Sequence, residues 1–432
     1  MPEFLTLLPP DAARALLLSH LPGLVLDSET VDVPLALGRV LAKDVIAPHP
    51  LPEFQRTTVD GYAVRAGNTF GAGDSLPAYL RLVGEVPMGD APAFELGAGQ
   101  CALIHTGGML PNGADAVVML EYTQRTNQPR HPAKPEEIEI FRAVAQGENV
   151  IRVGEDVAEG QVVQARGSLI RPAAIGGMMA LGIMKVSVVR KVIVGLISTG
   201  DEVIHPSESP RPGQVRDVNS FALAALVEKS GGMPRGYGIV PDQFEVLRDA
   251  AANALSECDL VLITAGSSAS TRDMTADVIR SLGKPGVLVH GINTRPGKPT
   301  ILGVCNGQAV IGLPGNPVSA LVNGYLFVVP VIEHLLGILP TPRATLLARL
   351  TVNLPSQAGR EDWWPVRLTR PEPLPAGVDS TSFPQGWVED QAEPIFGKSN
   401  LIFTLASADG LLRIHPDATG LSAGEMVEVI LI

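Results

Sequence analysis

The second half of the chain alternates short apolar runs with longer amphipathic runs, and no other feature constrains the fold as tightly. Apolar runs typical of buried strands occur at residues 192–197, 235–240, 260–264, 287–290 and 309–313. Runs with helical character occur at residues 220–229, 243–255, 273–282 and 318 to about 336. Strands that alternate with helices favour right-handed βαβ units. The sequence therefore predicts an α/β domain with a mainly parallel sheet at residues 188–339.

The rest of the chain has a different pattern. Residues 51–147 contain short alternating runs punctuated by Gly and Pro, which favours a small β-rich domain. Residues 1–50 begin with helical periodicity at 5–20, and we expect them to form one discontinuous domain with residues 148–187, where 172–181 is helix-like. After Pro340 and Pro342, residues 340–432 are strand-like and rich in proline, so they predict a C-terminal β domain.

Composition limits the class of function. Hydrophobic residues make up 45% of the 432 residues, which is enough for large cores, and the net charge is −12. A general nucleic-acid binder usually carries a basic face, so no nucleic-acid partner is expected. An acidic protein that binds an anionic ligand must gather its cations locally. Clustered Lys and Arg near glycines are therefore the places to examine.

Cysteine usage and the apolar runs predict where the protein works. Cys101, Cys258 and Cys305 are far apart in apolar runs, which indicates buried free thiols rather than disulfides or a metal site. The first residues have no signal-peptide pattern. No apolar run reaches the roughly 20 residues that a membrane span needs. We expect a cytoplasmic protein with no membrane partner.

Glycine-rich loops follow the predicted strands, and ligands of parallel sheets bind at the carboxyl ends of strands. Residues 199–202 put two carboxylates at one strand end, where they can bind Mg²⁺, orient a water or simply face solvent. Residues 265–270 are small, so their N–H groups can approach an anion closely at the N-terminus of the next helix. A loop without a ligand could have the same sequence. Arg295 and Lys298 flank a Pro-Gly turn, where they can neutralise a phosphate or oxyanion or remain solvated.

The most specific run is residues 312–320, with the sequence GLPGNPVSA. A strand enters a tight turn, Asn316 is placed to N-cap the next helix, and Pro317 fits its first position. The N–H groups of this turn can bind a phosphate or a polar ring edge. Asp242 and Asp273 could join Glu202 around one divalent cation, although each alone is more often a helix cap. These loops predict an enzyme that holds a phosphorylated ligand at residues 190–339.

The β-rich region contains further glycine turns, at residues 58–65, 105–108 and 111–118. Physical reasoning alone interprets them as turns that enter or leave strands. His20, His49 and His105 have no partners at metal-ligand spacing, so a structural role is expected for them.

Six motifs in order give a resemblance to a known family. They are VDGYAVR at 59–65, HTGG at 105–108, GED at 154–156, STGDE at 198–202, PGKP at 296–299 and GLPGNPVSA at 312–320. Over nearly its whole length the chain resembles the molybdopterin molybdenumtransferase family, which includes the E domain of gephyrin.

The resemblance implies an architecture and a reaction. It implies four domains: the discontinuous one, the β-rich insert, a three-layer αβα domain of the molybdopterin adenylyltransferase type, and a small β-barrel-like C-terminal domain. It implies a homodimer whose site lies between the third domain of one subunit and the second of the other. The reaction would convert adenylylated molybdopterin and molybdate, or tungstate, into the metal cofactor and AMP, assisted by Mg²⁺. Molybdopterin adenylyltransferase and molybdoenzymes would be further partners.

The resemblance also implies roles for individual residues. The expected catalytic residues are Asp60, Thr106, Asp156, Glu202, Asp242, Asp273, Arg295 and Lys298. Among them, the cation would be held by Glu202, Asp242 and Asp273. The expected substrate-binding residues are Thr199, Gly200, Gly266, Ser267, Ser268, Pro296, Gly297, Pro314, Gly315, Asn316, Pro317 and Ser399.

Two alternatives and three departures accompany the resemblance. An adenylyltransferase or nucleotide pyrophosphatase with the same third-domain fold would lack the region of Asp60 and Thr106. A non-catalytic scaffold would not need the acidic and basic site residues. The loop 265–270 lacks the family's usual GGVSxG pattern, Arg295 stands where Lys is common, and Asn400 stands where Gly or His is typical. These departures leave the choice between molybdate and tungstate open.

Overall fold

A computed structural model describes residues 7–23, 26–126, 136–265, 269–370 and 390–432, with side chains except at 269–273. Its central sheet has six strands. Their order across the sheet is Gly232–Val240, Val192–Thr199, Leu260–Ala265, Gln308–Pro314, Ile301–Cys305 and Pro285–His290. The first four strands are parallel, and the last two run antiparallel to their neighbours. The predicted α/β domain with a mainly parallel sheet is confirmed.

Helices cover both faces of this sheet. Alternate residues of one strand divide between the faces, so Leu262 packs in one core and Ile263 in the other. The first face is covered by Asn219–Lys229 and by the continuous helical segment Pro317–Leu336, and the second by Phe244–Glu257 and Ala269–Leu282. The result is a three-layer αβα arrangement. It directs the loops after the parallel strands to one edge of the sheet.

Three details of this unit differ from the prediction. Ile301–Cys305 was not predicted as a strand, and it forms a hairpin with Gln308–Pro314. Its two-residue turn is Asn306-Gly307, and both residues have positive φ, at 53° and 89°, as a type I′ turn requires. The helix expected to open at Asp273 begins at Ala269. The helix predicted at 220–229 begins at Asn219, and Asp217 Oδ1 accepts the Ser220 N–H in its first turn at 3.0 Å.

The long helical segment after the last parallel strand has three parts. Pro317–Asn323 and Val329–Leu336 are α-helical, and Gly324–Val328 between them is a π-helix. By length and composition alone, Pro317–Leu336 could cross a membrane, but 72% of it is buried inside the protein. It is therefore explained as a core helix.

The β-rich insert predicted at 51–147 contains a second six-stranded sheet. Its order is Ala116–Met119, Gly61–Val64, Gln100–Ile104, Ala78–Val86, Glu137–Ile140 and Thr123–Arg125. Short 3₁₀ turns at Ala66–Asn68 and Leu120–Tyr122 follow two of these strands.

Two antiparallel pairs join the segments on either side of the insert, and a third joins the insert to the segment that follows it. Ser28–Asp32 pairs with Lys185–Val189, Val45–Ile46 with Val162–Gln164, and Arg56–Thr57 with Val150–Ile151. The 3₁₀ turn Val33–Leu35 and the helix Pro172–Ala180 pack together in this region. The helix Pro10–Ser19 packs its Ala13 and Leu17 into the core of the central sheet. The domain boundaries given above remain a prediction.

The C-terminal residues form a closed barrel of five strands. They are Glu361–Thr369, Gln391–Pro394, Thr345–Leu350, Met426–Leu431 and Gly410–Ile414, and the last pairs again with the first. Leu354–Pro355 pairs with Gly420–Leu421, and a short helix spans Phe403–Ala406. Thr294–Arg295 lies in the chain between the central-sheet strands Pro285–His290 and Ile301–Cys305, and it pairs in parallel with Glu361 and Asp362 of the barrel. This pairing brings the loop of Arg295 and Lys298 against the barrel.

The three cysteines are buried and free, as predicted. Burial raises the pKa of the Cys101 thiol to about 12 and that of Cys305 to about 11. Both thiols therefore stay protonated near neutral pH and are poor nucleophiles.

Candidate functional site

A cavity of about 480 Å³ lies at the carboxyl ends of the parallel strands, and we call it the strand-end cavity. Its polar lining includes Ser198, Thr199, Glu202, Arg216, Asp217, Asn219, Thr264, Asn316 and Asn400. Gly315 and Pro317, from the 312–320 run, also line it. Predicted binding residues from the first and last parallel strands therefore meet in one cavity, as expected of strand-end loops.

Acidic side chains gather beside this cavity. The buried Thr199 hydroxyl donates to Asp242 Oδ1 at 2.6 Å, and the Asp242 N–H points at Asp201 Oδ1 at 3.3 Å. Glu202 folds back over the strand end, so a Cβ at Gly200 would lie 2.8 Å from its Oε2. Glu202 and Asp242 of the predicted cation set therefore lie on neighbouring loops.

Two buried polar residues that sequence reasoning missed support the cavity wall. Asn219 donates its amide to the Gly315 carbonyl at 2.8 Å, while its Oδ1 has no hydrogen-bond partner among the described residues. Asp217 is 6% exposed and caps the helix that begins at Asn219. Two polar residues just before an apolar helix at a strand-end loop are the signal that could have identified them.

A second cavity of about 790 Å³ lies between the loop at residues 294–299 and the barrel. None of its lining residues is acidic, and four cationic side chains line it: Arg295, Lys298, Arg360 and Lys398. We call it the cationic cavity. Pro296, Gly297 and Pro314 of the predicted site also line it, together with Ser319 and Ser399. The local concentration of cations expected of an acidic chain that binds an anion is found in this cavity.

The two arginines of the cationic cavity are oriented by a buried carboxylate. Arg360 Nε donates to Asp362 Oδ1 at 2.8 Å, and Arg295 Nη1 lies 3.8 Å from Asp362 Oδ2. Asp362 is 1% exposed. The Arg295 guanidinium also lies over the Trp364 ring, 5.3 Å from its centroid. Arg360 was not predicted, because only the barrel pairing brings it to the loop of Arg295.

The loop that carries Arg295 and Lys298 is held from beneath by Asn323. The Asn323 amide donates to the Ser319 carbonyl at 2.8 Å and to the Pro296 carbonyl at 3.3 Å. Gly297 has a φ of 102°, and a Cβ there would overlap the Asn323 side chain. The loop geometry therefore requires glycine at this position.

The two cavities adjoin at Asn316 and Asn400, which line both. Pro317 is the first helical residue, as predicted, but Asn316 does not cap the helix with its side chain. Its amide donates to Ser399 Oγ at 3.2 Å instead, and the Ser399 carbonyl accepts the Val318 N–H at 3.0 Å. The Asn316 side chain therefore bonds to the barrel segment of Ser399 and not to the first turn of its own helix.

Asp60 and Thr106 form a separate cluster at the end of the insert sheet. Asp60 Oδ1 accepts the Thr106 N–H at 2.7 Å and the Thr106 hydroxyl at 3.2 Å. These bonds hold the pKa of the exposed Asp60 carboxyl below its usual value. Asp156 is exposed, and its N–H donates to the Leu51 carbonyl. None of these three predicted residues lines either cavity of the same chain.

Four predicted site residues cannot be placed fully. Gly266, Ser267 and Ser268 lie outside the described residues, as does the side chain of Asp273. In the part of the chain that the structure describes, no three His, Cys, Asp or Glu side chains form a group that could hold a metal ion.

Comparison with known proteins extends this description. Family models match in succession: the MoeA N-terminal region (domains I and II) at 8–182, a probable molybdopterin binding domain at 195–334, and the MoeA C-terminal region (domain IV) at 347–432. The molybdopterin molybdenumtransferase of Bacillus subtilis is 30% identical over 94% of this chain and 90% of its own length. The chain belongs to the molybdopterin molybdenumtransferase family.

Other relatives support the assignment of this chain to the molybdopterin molybdenumtransferase family. A putative molybdopterin biosynthesis protein of Methanocaldococcus jannaschii is 36% identical over 93% of this chain and 92% of its own length. A solved molybdopterin biosynthesis MoeA protein of Pyrococcus horikoshii OT3 is 33% identical with a TM-score of 0.82, covering 99% of this chain and 100% of that one. The resemblance drawn from the six motifs and the prediction of an enzyme of this family are confirmed.

Proposed function

We propose that the protein inserts molybdate or tungstate into adenylylated molybdopterin and releases AMP. The observation that carries this proposal is the pair of adjoining cavities. One has acidic residues and strand-end loops, and the other has four cations and no acidic lining residue. A phosphorylated substrate and a tetrahedral oxyanion are two anions that must meet, and adjoining cavities that share Asn316 and Asn400 suit that meeting.

The strand-end cavity would hold the phosphates of the substrate. Thr199, Gly200, Gly315 and Pro317 would shape the pocket, and Asn316 would face both substrates. Cleaving a phosphoanhydride requires charge to be stabilised on the phosphoryl oxygens while the reacting groups are held in place. No protein nucleophile is needed for that.

The acidic side chains at the strand ends fit Mg²⁺. This ion binds oxygen ligands and typically uses one or two carboxylates together with waters and substrate phosphates. Glu202 and Asp242 would be those carboxylates, with Asp273 as the third predicted ligand. The ion would supply positive charge next to the phosphates.

The cationic cavity would hold the oxyanion. Lys298 has no side-chain hydrogen bond or ion pair among the described residues, so its charge is available to a ligand. Arg295 and Arg360 are already oriented by Asp362, and Ser319 and Ser399 add hydroxyl groups. Charge-assisted hydrogen bonds to an oxyanion are about twice as strong as neutral ones.

Asp60, Thr106 and Asp156 would complete the site from the partner subunit of a homodimer. The proposal is supported by the lining of the two cavities, which includes none of these three residues of the same chain. We expect the enzyme to act in the cytoplasm, with molybdopterin adenylyltransferase and molybdoenzymes as partners.

The direct test is incubation with adenylylated molybdopterin, Mg²⁺ and either molybdate or tungstate, with AMP release as the measurement. We expect release that depends on the oxyanion. Absence of release with both oxyanions would refute the enzyme proposal. Tight binding of adenylylated molybdopterin without turnover would favour a scaffold. AMP release at the same rate without any oxyanion would favour a pyrophosphatase.

A further inference from the structure

Three neighbouring strands of the insert sheet bring two carboxylates and an imidazole into one row. Asp60 precedes Gly61–Val64, His105 follows Gln100–Ile104, and Glu85 lies near the end of Ala78–Val86. The strand of His105 is the middle one. His105 Nε2 lies 2.8 Å from Glu85 Oε1, and its Nδ1 lies 3.8 Å from Asp60 Oδ1. The ring thus has one carboxylate at each nitrogen.

The shorter contact decides where a neutral ring carries its proton. A neutral imidazole has a single N–H, and the bond to Glu85 places it on Nε2. The Nδ1 lone pair then faces the Asp60 carboxylate, which is unfavourable. A protonated ring offers N–H groups to both carboxylates. A proton on Nδ1 therefore decides whether Asp60 has a positive charge 3.8 Å away, in addition to its two hydrogen bonds from Thr106.

The charged surroundings of His105 are simple. Asp60 and Glu85 face the ring directly. Arg125 interacts electrostatically with Glu85, and its Nη1 lies 3.5 Å from Glu136 Oε1. In the described part of the chain, no cation other than the ring itself forms an ion pair with Asp60.

We propose that His105, held by Glu85, is a positioning residue for Asp60. The inference rests on the proposed function only in assigning Asp60 to the reaction. The sequence analysis expected a structural role for His105, because the histidine has no partners at metal-ligand spacing. That criterion could not reveal the two carboxylates on neighbouring strands.

Two substitutions separate this role from a structural one. His105→Asn keeps an amide donor near the place of Nδ1, toward Asp60, and loses the contact with Glu85. His105→Gln reaches toward Glu85 and loses the donor to Asp60. If His105 positions Asp60, kcat for AMP release falls about tenfold in His105→Gln and much less in His105→Asn, with KM for the oxyanion unchanged in both. A residue that only ties the strands together would give the opposite order.

A matched histidine outside the site controls for the substitutions themselves. The matched control is His415, an exposed histidine 3.2 Å from Asp417 outside both cavities, whose Asn and Gln variants should behave as wild type.

A measurement without turnover distinguishes failure of this inference from failure of the proposed function. The ¹⁵N spectrum of the ring at high pH should show the proton on Nε2, and Glu85→Gln should move population to Nδ1. If the wild-type protein releases no AMP, the proposed function is refuted, but the spectrum can still be measured and still tests the contact between His105 and Glu85. A neutral ring protonated on Nδ1, or equal kcat values for the two His105 variants, would overturn the inference.

Discussion

Lys298 differs from Arg295, the other predicted cation of its loop, in having no carboxylate or aromatic partner among the described residues. Arg295 lies against Asp362 and Trp364, whereas the Lys298 ammonium has no partner among the described residues. Positive charge that is not neutralised internally is what an anionic ligand can use. At the residue scale, Lys298 should therefore contribute most directly to oxyanion affinity.

Replacement of Lys298 tests that contribution. We expect Lys298→Ala to raise the KM for molybdate or tungstate by about tenfold or more, because one charge-assisted hydrogen bond is lost. Lys298→Arg should retain most of the affinity. Arg370→Ala is the matched control, since Arg370 is exposed and pairs with Asp390 outside both cavities. An unchanged KM in Lys298→Ala would exclude the oxyanion from this place.

Thr106 gives a prediction about pH. Its N–H and hydroxyl keep the pKa of Asp60 below the usual value of 3.8. The Asp60 carboxylate is therefore charged down to a lower pH than an ordinary aspartate, and its function is lost only as pH falls through that lowered value. Thr106→Val removes the hydroxyl and keeps the shape, so the pKa of Asp60 should rise. We expect the acid limb of kcat against pH to move to higher pH, and an unmoved limb would separate Asp60 from the reaction.

At the scale of elements, the loop of Arg295 and Lys298 is fixed from two sides. The strand Thr294–Arg295 pairs with the barrel, and Asn323 donates to the Pro296 carbonyl from the helix below. The loop is thus a rigid part of the cationic cavity. Its geometry should matter for anion binding as much as its charges do.

Gly297→Ala tests this rigidity against a matched glycine. Both Gly297 and Gly424 have positive φ, at 102° and 85°, but only a Cβ at Gly297 would overlap another side chain. Both Ala variants should lose about 1 kcal/mol or more of unfolding free energy in urea, because the left-handed conformation disfavours alanine. Only Gly297→Ala should also raise the KM for the oxyanion. Equal KM values would mean that the loop adapts without consequence.

The sequence was sufficient for elements that local patterns define and insufficient for contacts between distant elements. Periodicity predicted the four parallel strands and the helix of Pro317. The loops at the strand ends predicted five residues that line the strand-end cavity: Thr199, Glu202, Gly315, Asn316 and Pro317. The hairpin at Asn306-Gly307 had a strong local signal that the α/β pattern obscured. Arg360 had none, because its place depends on the pairing of Thr294–Arg295 with a barrel strand that begins more than sixty residues later. The Asn316 side chain was mispredicted for the same reason, since its partner Ser399 lies 83 residues further along the chain.

At the scale of the whole molecule, the predicted site residues divide into two groups that one chain does not unite. Glu202, Arg295 and Lys298 line the two adjoining cavities, and Asp60, Thr106 and Asp156 line neither. A homodimer in which the insert of one subunit faces the cavities of the other would unite them. This arrangement has a consequence that single variants cannot reveal.

Mixed dimers of two inactive variants should regain activity. Asp60→Ala and Glu202→Ala should each lose AMP release while remaining dimeric. In a heterodimer of the two, one site receives Glu202 from one subunit and Asp60 from the other, so it is intact. Random exchange of equal amounts makes about half of the dimers mixed, each with one intact site of two, so about a quarter of the wild-type rate should return. The measurement is AMP release after subunit exchange, with size-exclusion chromatography to show that dimers persist. If both groups of residues act within one subunit, every site in the mixture lacks one of them and no activity returns.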